Sequence, residues 1–165
     1  MRKILAYNIT MEDVLILTAI KETILEENKN IVFLGEWCKT YDKRNFHNKL
    51  NHKTLNFHWD DRNKIYKDYQ YLTELYEVIL LELSYKLNEI HNERKPIKFW
   101  RILIGPWLGN FIQIMFDRWY MINLAVKKYK INNINTLGIN DFENYIPNDM
   151  NHFDSMVSSD LWNNY

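Results

Sequence analysis

A long helical repeat of apolar side chains between residues 65 and 90 most constrains how this chain folds. The repeat advances in steps of three and four, which places its members on one face of an α-helix. They are Ile65, Tyr69, Leu72, Tyr76, Ile79, Leu83, Leu87 and Ile90. Asp60 and Asp61 precede the repeat and can cap its first amide groups, and Pro96 follows its end. We therefore predict a helix near residues 61–91.

A second long helix is predicted near residues 98–130, where the chain is apolar and aromatic. Gly105 and Pro106 interrupt the segment, so we expect a kink or a restart there. One face of this helix would carry Trp100, Trp107, Phe111, Ile114 and Arg118. The longest uncharged run, residues 102–116, is shorter than the roughly 20 residues that cross a bilayer. We therefore predict no transmembrane segment.

Two short apolar runs are typical of buried parallel strands. VLILTA and IVFLG predict strands near residues 14–18 and 31–35. Residues 20–30 are polar and leave room for one or two helical turns. The chain is thus predicted to have a helix-dominated α/β fold.

Three further segments have weaker patterns. Residues 39–58 lack a clean period and are interpreted as a long loop, and residues 131–139 as a turn-rich connection. Asp141 is expected to cap a short helix that ends before Pro147.

Composition narrows the possible functions. The 165 residues contain 21 basic and 21 acidic side chains, so no overall field favours nucleic acid as a partner. The single cysteine, Cys38, excludes an internal disulfide and is typical of a reducing compartment. The first residues do not resemble a signal peptide. We expect a cytoplasmic protein, with a peripheral location at the inner membrane as an alternative.

Polar residues follow both predicted strands, at the sheet edge where open α/β folds bind ligands. Thr18 and Glu22 follow the first strand, and Glu36 and Trp37 follow the second. All four are candidate substrate or catalytic residues. Glu36 could act as a general base if burial raised its pKa. The alternative is a carboxylate held by amide groups or by an arginine.

The motif FHWDDR supplies a further group of candidates. His58 could serve as a general base or as a hydrogen-bond donor to substrate, and Asp61 could contact substrate. An ordinary packing histidine is the alternative. Asp60 and Asp61 are adjacent and placed to cap a helix, so we predict no metal site and no cofactor.

Arginines and tryptophans complete the predicted site. Arg62, Arg101 and Arg118 can hold phosphate or carboxylate groups through their guanidinium forks. Trp37, Trp59 and Trp107 could stack on a sugar face. The alternatives are ion pairs with acidic neighbours such as Asp117, and core packing of the indole rings. No phosphate-binding loop, dinucleotide-binding glycine motif, cysteine pair or HExxH motif is present.

Several motifs, taken in order, resemble one known family. They are LILTAIKET, IVFLGEWC, HWDDRNKIYKDYQYLTELYE, FWRILIGPWLGNFIQIMFDRW and SSDLWNNY. This series is similar to the N-terminal part of a transferase family encoded in O-antigen and other surface-polysaccharide gene regions. The GPWL and FDRW phrases are the most specific. The resemblance covers residues 14–165, and residues 1–13 are interpreted as an extension.

The resemblance implies a two-lobed, glycosyltransferase-like protein whose nucleotide-binding lobe is C-terminal. The chain would then be an incomplete N-terminal domain, inactive without that lobe, which could be separately encoded. Its substrate would be a nucleotide sugar or another anionic sugar. Two alternatives stay open: a non-catalytic helical interaction module and a decayed fragment.

Overall fold

The computed structural model of the chain describes residues 13–24, 30–137, 146–160 and 162. These residues divide into two compact units. The sheet unit takes its residues from positions 1–55, 124–146 and 156–165, and the helical unit from positions 56–123 and 147–155.

The sheet unit is built on a four-stranded parallel sheet. Its strands are β1 (Asp13–Ile16), β2 (Asn30–Phe33), β3 (His52–Thr54) and β4 (Ile131–Asn135), in the order β3-β2-β1-β4. In the centre of the sheet Leu15 lies opposite Val32, and both side chains are fully buried. The two apolar runs therefore form buried parallel strands, as predicted, and both strands are central in the sheet.

The predictions for the connecting segments were partly wrong. Residues 39–58 are not a simple loop, because they contain a 3-10 turn (Tyr41–Lys43), helix α1 (Arg44–His47) and strand β3. The connection at 131–139 begins with strand β4. After β1, the described residues up to position 24 contain a 3-10 turn, Lys21–Thr23. The helix expected from Asp141 lies outside the described residues.

Two long helices dominate the helical unit, and both predictions are confirmed. Helix α2 is Arg62–Ile90 and helix α3 is Ile97–Lys128, whose end from Leu124 onward belongs to the sheet unit. Helix α3 continues through Pro106, so the expected restart is wrong. A short helix, α4 (Met150–Val157), was not predicted. The core between α2 and α3 contains Leu72, Leu80, Trp100, Leu108 and Ile112.

The turn between α2 and α3 is stabilised by a helix C-cap. Asn92 has a φ of 52°, in the left-handed region that asparagine tolerates. The Glu93 amide donates to the Asn88 carbonyl at 2.9 Å, which closes the turn. The Asn88 side chain also bonds the Lys95 backbone and accepts from the Trp100 indole at 3.1 Å. One asparagine therefore holds both helix ends at this turn.

Candidate functional site

In the sheet unit, hydrogen bonds join the turns that follow β1 and β2. The Trp37 indole donates to the Leu17 carbonyl at 3.3 Å, and the Cys38 thiol donates to the Ile16 carbonyl at 3.5 Å. Thr18 is buried, and its hydroxyl accepts from the Ile20 amide at 3.1 Å. The structure thus brings Thr18 and Trp37 to the same edge of the sheet, as expected for neighbouring parallel strands.

Gly35 makes this arrangement possible. A Cβ atom at this position would collide with the Trp37 indole ring. The backbone of Gly35 is extended, with a φ of −170°. Close approach of the ring, and not backbone conformation, therefore favours glycine here.

The acidic candidates of the sheet unit are both exposed. Glu36 has 77% of its side-chain surface exposed and pairs with Lys39 at 3.0 Å. Glu22 lies in the 3-10 turn after β1. Glu36 lacks the burial that we expected of a general base, so its catalytic role stays a prediction.

In the helical unit, His58 lies in a buried cluster of charged and aromatic side chains. Only 1% of its side-chain surface is exposed, and its Nε2 donates to Asp117 Oδ1 at 2.9 Å. The imidazole stacks on Tyr120 with ring centres 4.6 Å apart. Asp117 also accepts from Arg118, so one carboxylate joins two of the predicted site residues.

A second carboxylate completes this cluster. Asp68 accepts from the Trp59 indole at 2.9 Å and from the Lys64 ammonium, and its Oδ2 lies 3.8 Å from His58 Nδ1. Burial raises the pKa of Asp68, but the hydrogen bonds from Lys64 and Trp59 outweigh it and lower the pKa overall. Asp68 therefore stays ionised beside His58.

The protonation of His58 follows from these neighbours. Burial lowers the pKa of His58, and the hydrogen bond to Asp117 opposes this shift only in part. Two carboxylates already form ion pairs with two basic side chains, Lys64 and Arg118, so a neutral imidazole leaves the cluster balanced. His58 Nδ1 then carries a lone pair, and it has no hydrogen-bond partner among the described residues.

An open groove of about 250 Å³ lies on the same unit. Helix α2 contributes Ile65, Tyr69, Leu72, Thr73 and Tyr76, and α3 contributes Gly109, Ile112 and Gln113. Trp59 also lines the groove. Its ring lies 4.6 Å from that of His58, so Trp59 contacts both the groove and the charged cluster. Sequence reasoning missed this groove, because it forms only where α2 and α3 pack against each other, and the periodicity of either helix alone does not show it.

Two further predicted residues, Asp61 and Arg62, lie at the start of α2. Asp61 caps α2 by accepting from the amides of Asn63 and Lys64, at 2.9 and 3.2 Å. Arg62 is exposed in the first turn of that helix. A role for either residue in substrate binding stays a prediction.

Arg101 and Trp107 both lie on α3, and they contact different residues. Arg101 forms a two-point ion pair with Glu77, at 2.5 and 2.6 Å, which lowers the pKa of Glu77. The Trp107 ring stacks on Phe111 with centres 5.1 Å apart. Arg101 and Arg118 thus have different acidic partners, and their anion-binding roles stay predictions.

Lys64, Asp68 and Tyr120 were not predicted as site residues. The spacing of four between Lys64 and Asp68 on α2 is a readable signal for an ion pair. In the described part of the chain, no group of three or more histidine, cysteine or acidic side chains is arranged to hold a metal ion. No described helix combines the length and apolar character required to cross a membrane.

These observations define a helix-dominated α/β protein with a four-stranded parallel sheet and, in its helical unit, an aromatic groove. The model of the LIC12162 family transferases matches residues 13–165. The chain therefore belongs to this transferase family. No curated protein and no solved structure matches it significantly.

Proposed function

We propose that the chain is part of a glycosyltransferase-like enzyme of surface-polysaccharide assembly, including O-antigen. Membership of a transferase family over residues 13–165 is the observation that carries this proposal. The parallel sheet supports it, since β1 and β2 bring the polar turns at Thr18 and Trp37 to one edge of the sheet. Open α/β folds bind their ligands at such an edge. The reaction would take place in the cytoplasm or at the inner face of the membrane.

In this proposal the chain shapes the acceptor side of a cleft. A C-terminal nucleotide-binding lobe would bind the nucleotide sugar, and the arginines would hold anionic groups of the substrates. Of the two candidate bases, Glu36 is accessible to an acceptor hydroxyl, whereas the His58 side chain is almost fully buried. Accessibility to the acceptor, and not the burial that would raise its pKa, therefore makes Glu36 the candidate for proton abstraction.

The test is a transfer assay with a panel of nucleotide sugars. The chain is assayed alone and together with the product of any downstream reading frame, and glycosylated acceptor is detected by mass spectrometry. We expect turnover only in the combined sample. Turnover by the chain alone would contradict the two-lobe part of the proposal.

A matched pair of variants tests the role of Glu36. Glu36→Gln should lower kcat by about 100-fold or more, as expected for loss of a general base. Glu82→Gln removes a carboxylate from the exposed surface of α2 and should leave kcat unchanged. Equal kcat values for the two variants would exclude Glu36 as the base.

One observation favours the interaction module as a second candidate. Ile102 and Leu103 are adjacent on α3, and 71% and 62% of their surfaces are exposed. Such apolar exposure is common at protein interfaces. Light scattering after size exclusion tests self-association, and a monomer at every concentration would argue against this candidate.

A further inference from the structure

We propose that the groove between α2 and α3 binds an uncharged sugar ring of the acceptor saccharide. This inference rests on the proposed function and names the chemical class of one of its substrates. It assigns binding to the groove residues, of which only Trp59 was considered a binding residue from the sequence.

The walls of the groove have the character of a sugar-binding surface. Trp59, Tyr69 and Tyr76 provide aromatic rings, against which the C–H faces of a pyranose can pack. Thr73 and Gln113 provide polar groups for hydroxyls at the ring edge. Such a mixture of apolar walls and a few polar groups is typical of small-molecule sites.

The size of the groove indicates a small ligand. Its volume of about 250 Å³ lies below the roughly 300–1,000 Å³ of sites for drug-sized ligands. Tyr69 has 65% of its surface exposed, so the groove is open to solvent along one side. One ring can therefore lie in the groove while the rest of an oligosaccharide extends outward.

Charge in and around the groove indicates that the ligand is neutral. None of the nine lining residues carries a formal charge. Neither Lys64, which pairs with Asp68, nor Arg101, which pairs with Glu77, lines the groove. A phosphate or carboxylate in the groove would lose its hydration without gaining a cation.

Gly109 in α3 provides a further argument that the groove binds a ligand. At Gly105, on the same helix, an added Cβ would lie 2.5 Å from the Tyr76 hydroxyl, so the end of the Tyr76 side chain would have to move. At Gly109 the nearest neighbour of such a Cβ would be a Tyr76 ring carbon at 3.9 Å, an ordinary contact. Glycine weakens a helix, and packing does not require it at position 109. The missing side chain instead leaves space open in the groove.

The experiment is an NMR titration of the chain. The indole N–H signal of Trp59, assigned by its loss in Trp59→Phe, reports on the groove. N-acetylglucosamine and galactose are the uncharged probes, and glucuronic acid and inorganic phosphate are the charged ones. We expect the uncharged sugars to shift the Trp59 signal and the charged probes to leave it unchanged.

Two variants of α3 provide the matched comparison. Gly109→Leu fills the groove and should weaken sugar binding at least tenfold. Asn110→Leu adds the same side chain at the next, exposed position and should bind like the wild type. Equal binding by both variants, or a Trp59 shift with the charged probes only, would overturn the inference.

The assay separates this inference from the proposed function. Transfer activity without any Trp59 shift by uncharged sugars would overturn the groove assignment and leave the transferase proposal intact. Sugar binding that Gly109→Leu abolishes, without transfer in the combined sample, would support the groove assignment and contradict the transferase proposal.

Discussion

The sheet unit and the helical unit both have an apolar core, but the helical unit also buries an ion-paired cluster. The centre of the sheet unit is apolar, and Leu15, Ile16 and Phe33 are fully buried there. The helical unit buries an ion-paired cluster around His58 and Asp117. Apolar burial tolerates imprecise geometry, whereas buried charges require specific partners. The helical unit should therefore be more sensitive to changes that alter charge while preserving volume.

Two buried histidines show the same difference. In the sheet unit, His47 packs edge-on against Phe33, and burial together with the nearby His52 lowers its pKa. In the helical unit, burial lowers the pKa of His58 while Asp117 opposes the shift. Both imidazoles are thus favoured in the neutral form, but only His58 has a carboxylate bonded to its ring.

The largest expected effect tests the apolar core of the sheet unit. Phe33→Ala should reduce the free energy of unfolding by about 3–5 kcal/mol, because it leaves a cavity in the sheet core. Urea unfolding measures the loss, and amide hydrogen exchange should increase first in β1 and β2. Tyr85→Ala truncates an exposed ring on α2 and serves as the control. Equal losses in the two variants would contradict the assigned core.

A substitution that removes a charge without changing side-chain volume tests the helical unit. Asp117→Asn should cost about 1.5–3 kcal/mol at pH 7, since His58 and Arg118 both lose a charged acceptor. Hydrogen exchange should increase in α3 near residue 117. Asp60→Asn is the exposed control and should have little effect. If Asp117→Asn is equally harmless, the buried cluster does not stabilise the helical unit.

In each unit the sequence predicted some features and missed others. Strands β1 and β2 are apolar runs and the long helices have a clear period, so all four were predicted. Strands β3 and β4, HKT and INNIN, lie at the sheet edges and are largely polar, so they have no apolar run to mark them. The contact between His58 and Asp117 spans 59 positions, a pairing that no local pattern encodes. Local periodicity thus predicted the main elements, but not the cluster or the groove.

Glycine replacements in the two units should have opposite signs. Gly35→Ala should destabilise the sheet unit by about 1–2 kcal/mol, because the new methyl group forces the Trp37 ring to move. Gly109→Ala should stabilise the helical unit by up to about 1 kcal/mol, since it improves helix propensity without a clash. Thermal unfolding measures both. A loss of stability in Gly109→Ala would show that packing requires glycine at this position.

The smallest expected effect is a dependence of stability on pH, which arises from His47 and His58. Both have a folded-state pKa below the ordinary value of 6.5, so the unfolded chain binds more protons as the pH falls through that value. Stability conferred by the neutral histidines is therefore present above pH 6.5 and decreases as the pH falls toward their folded-state pKa values. Urea unfolding between pH 7.5 and 5 measures this slope.

Variants of each histidine show which one causes the change of unfolding free energy with pH. His47→Gln and His58→Gln should each flatten the slope, because glutamine does not titrate. At His58 the charge of Asp117 opposes the effect of burial, whereas no carboxylate is bonded to the His47 ring in the described structure. Asp117→Asn should then steepen the slope, because it removes the charge that opposes the shift. A steeper slope in His58→Gln than in the wild type would instead mean that folding raises the pKa of His58, with Asp117 and Asp68 outweighing its burial.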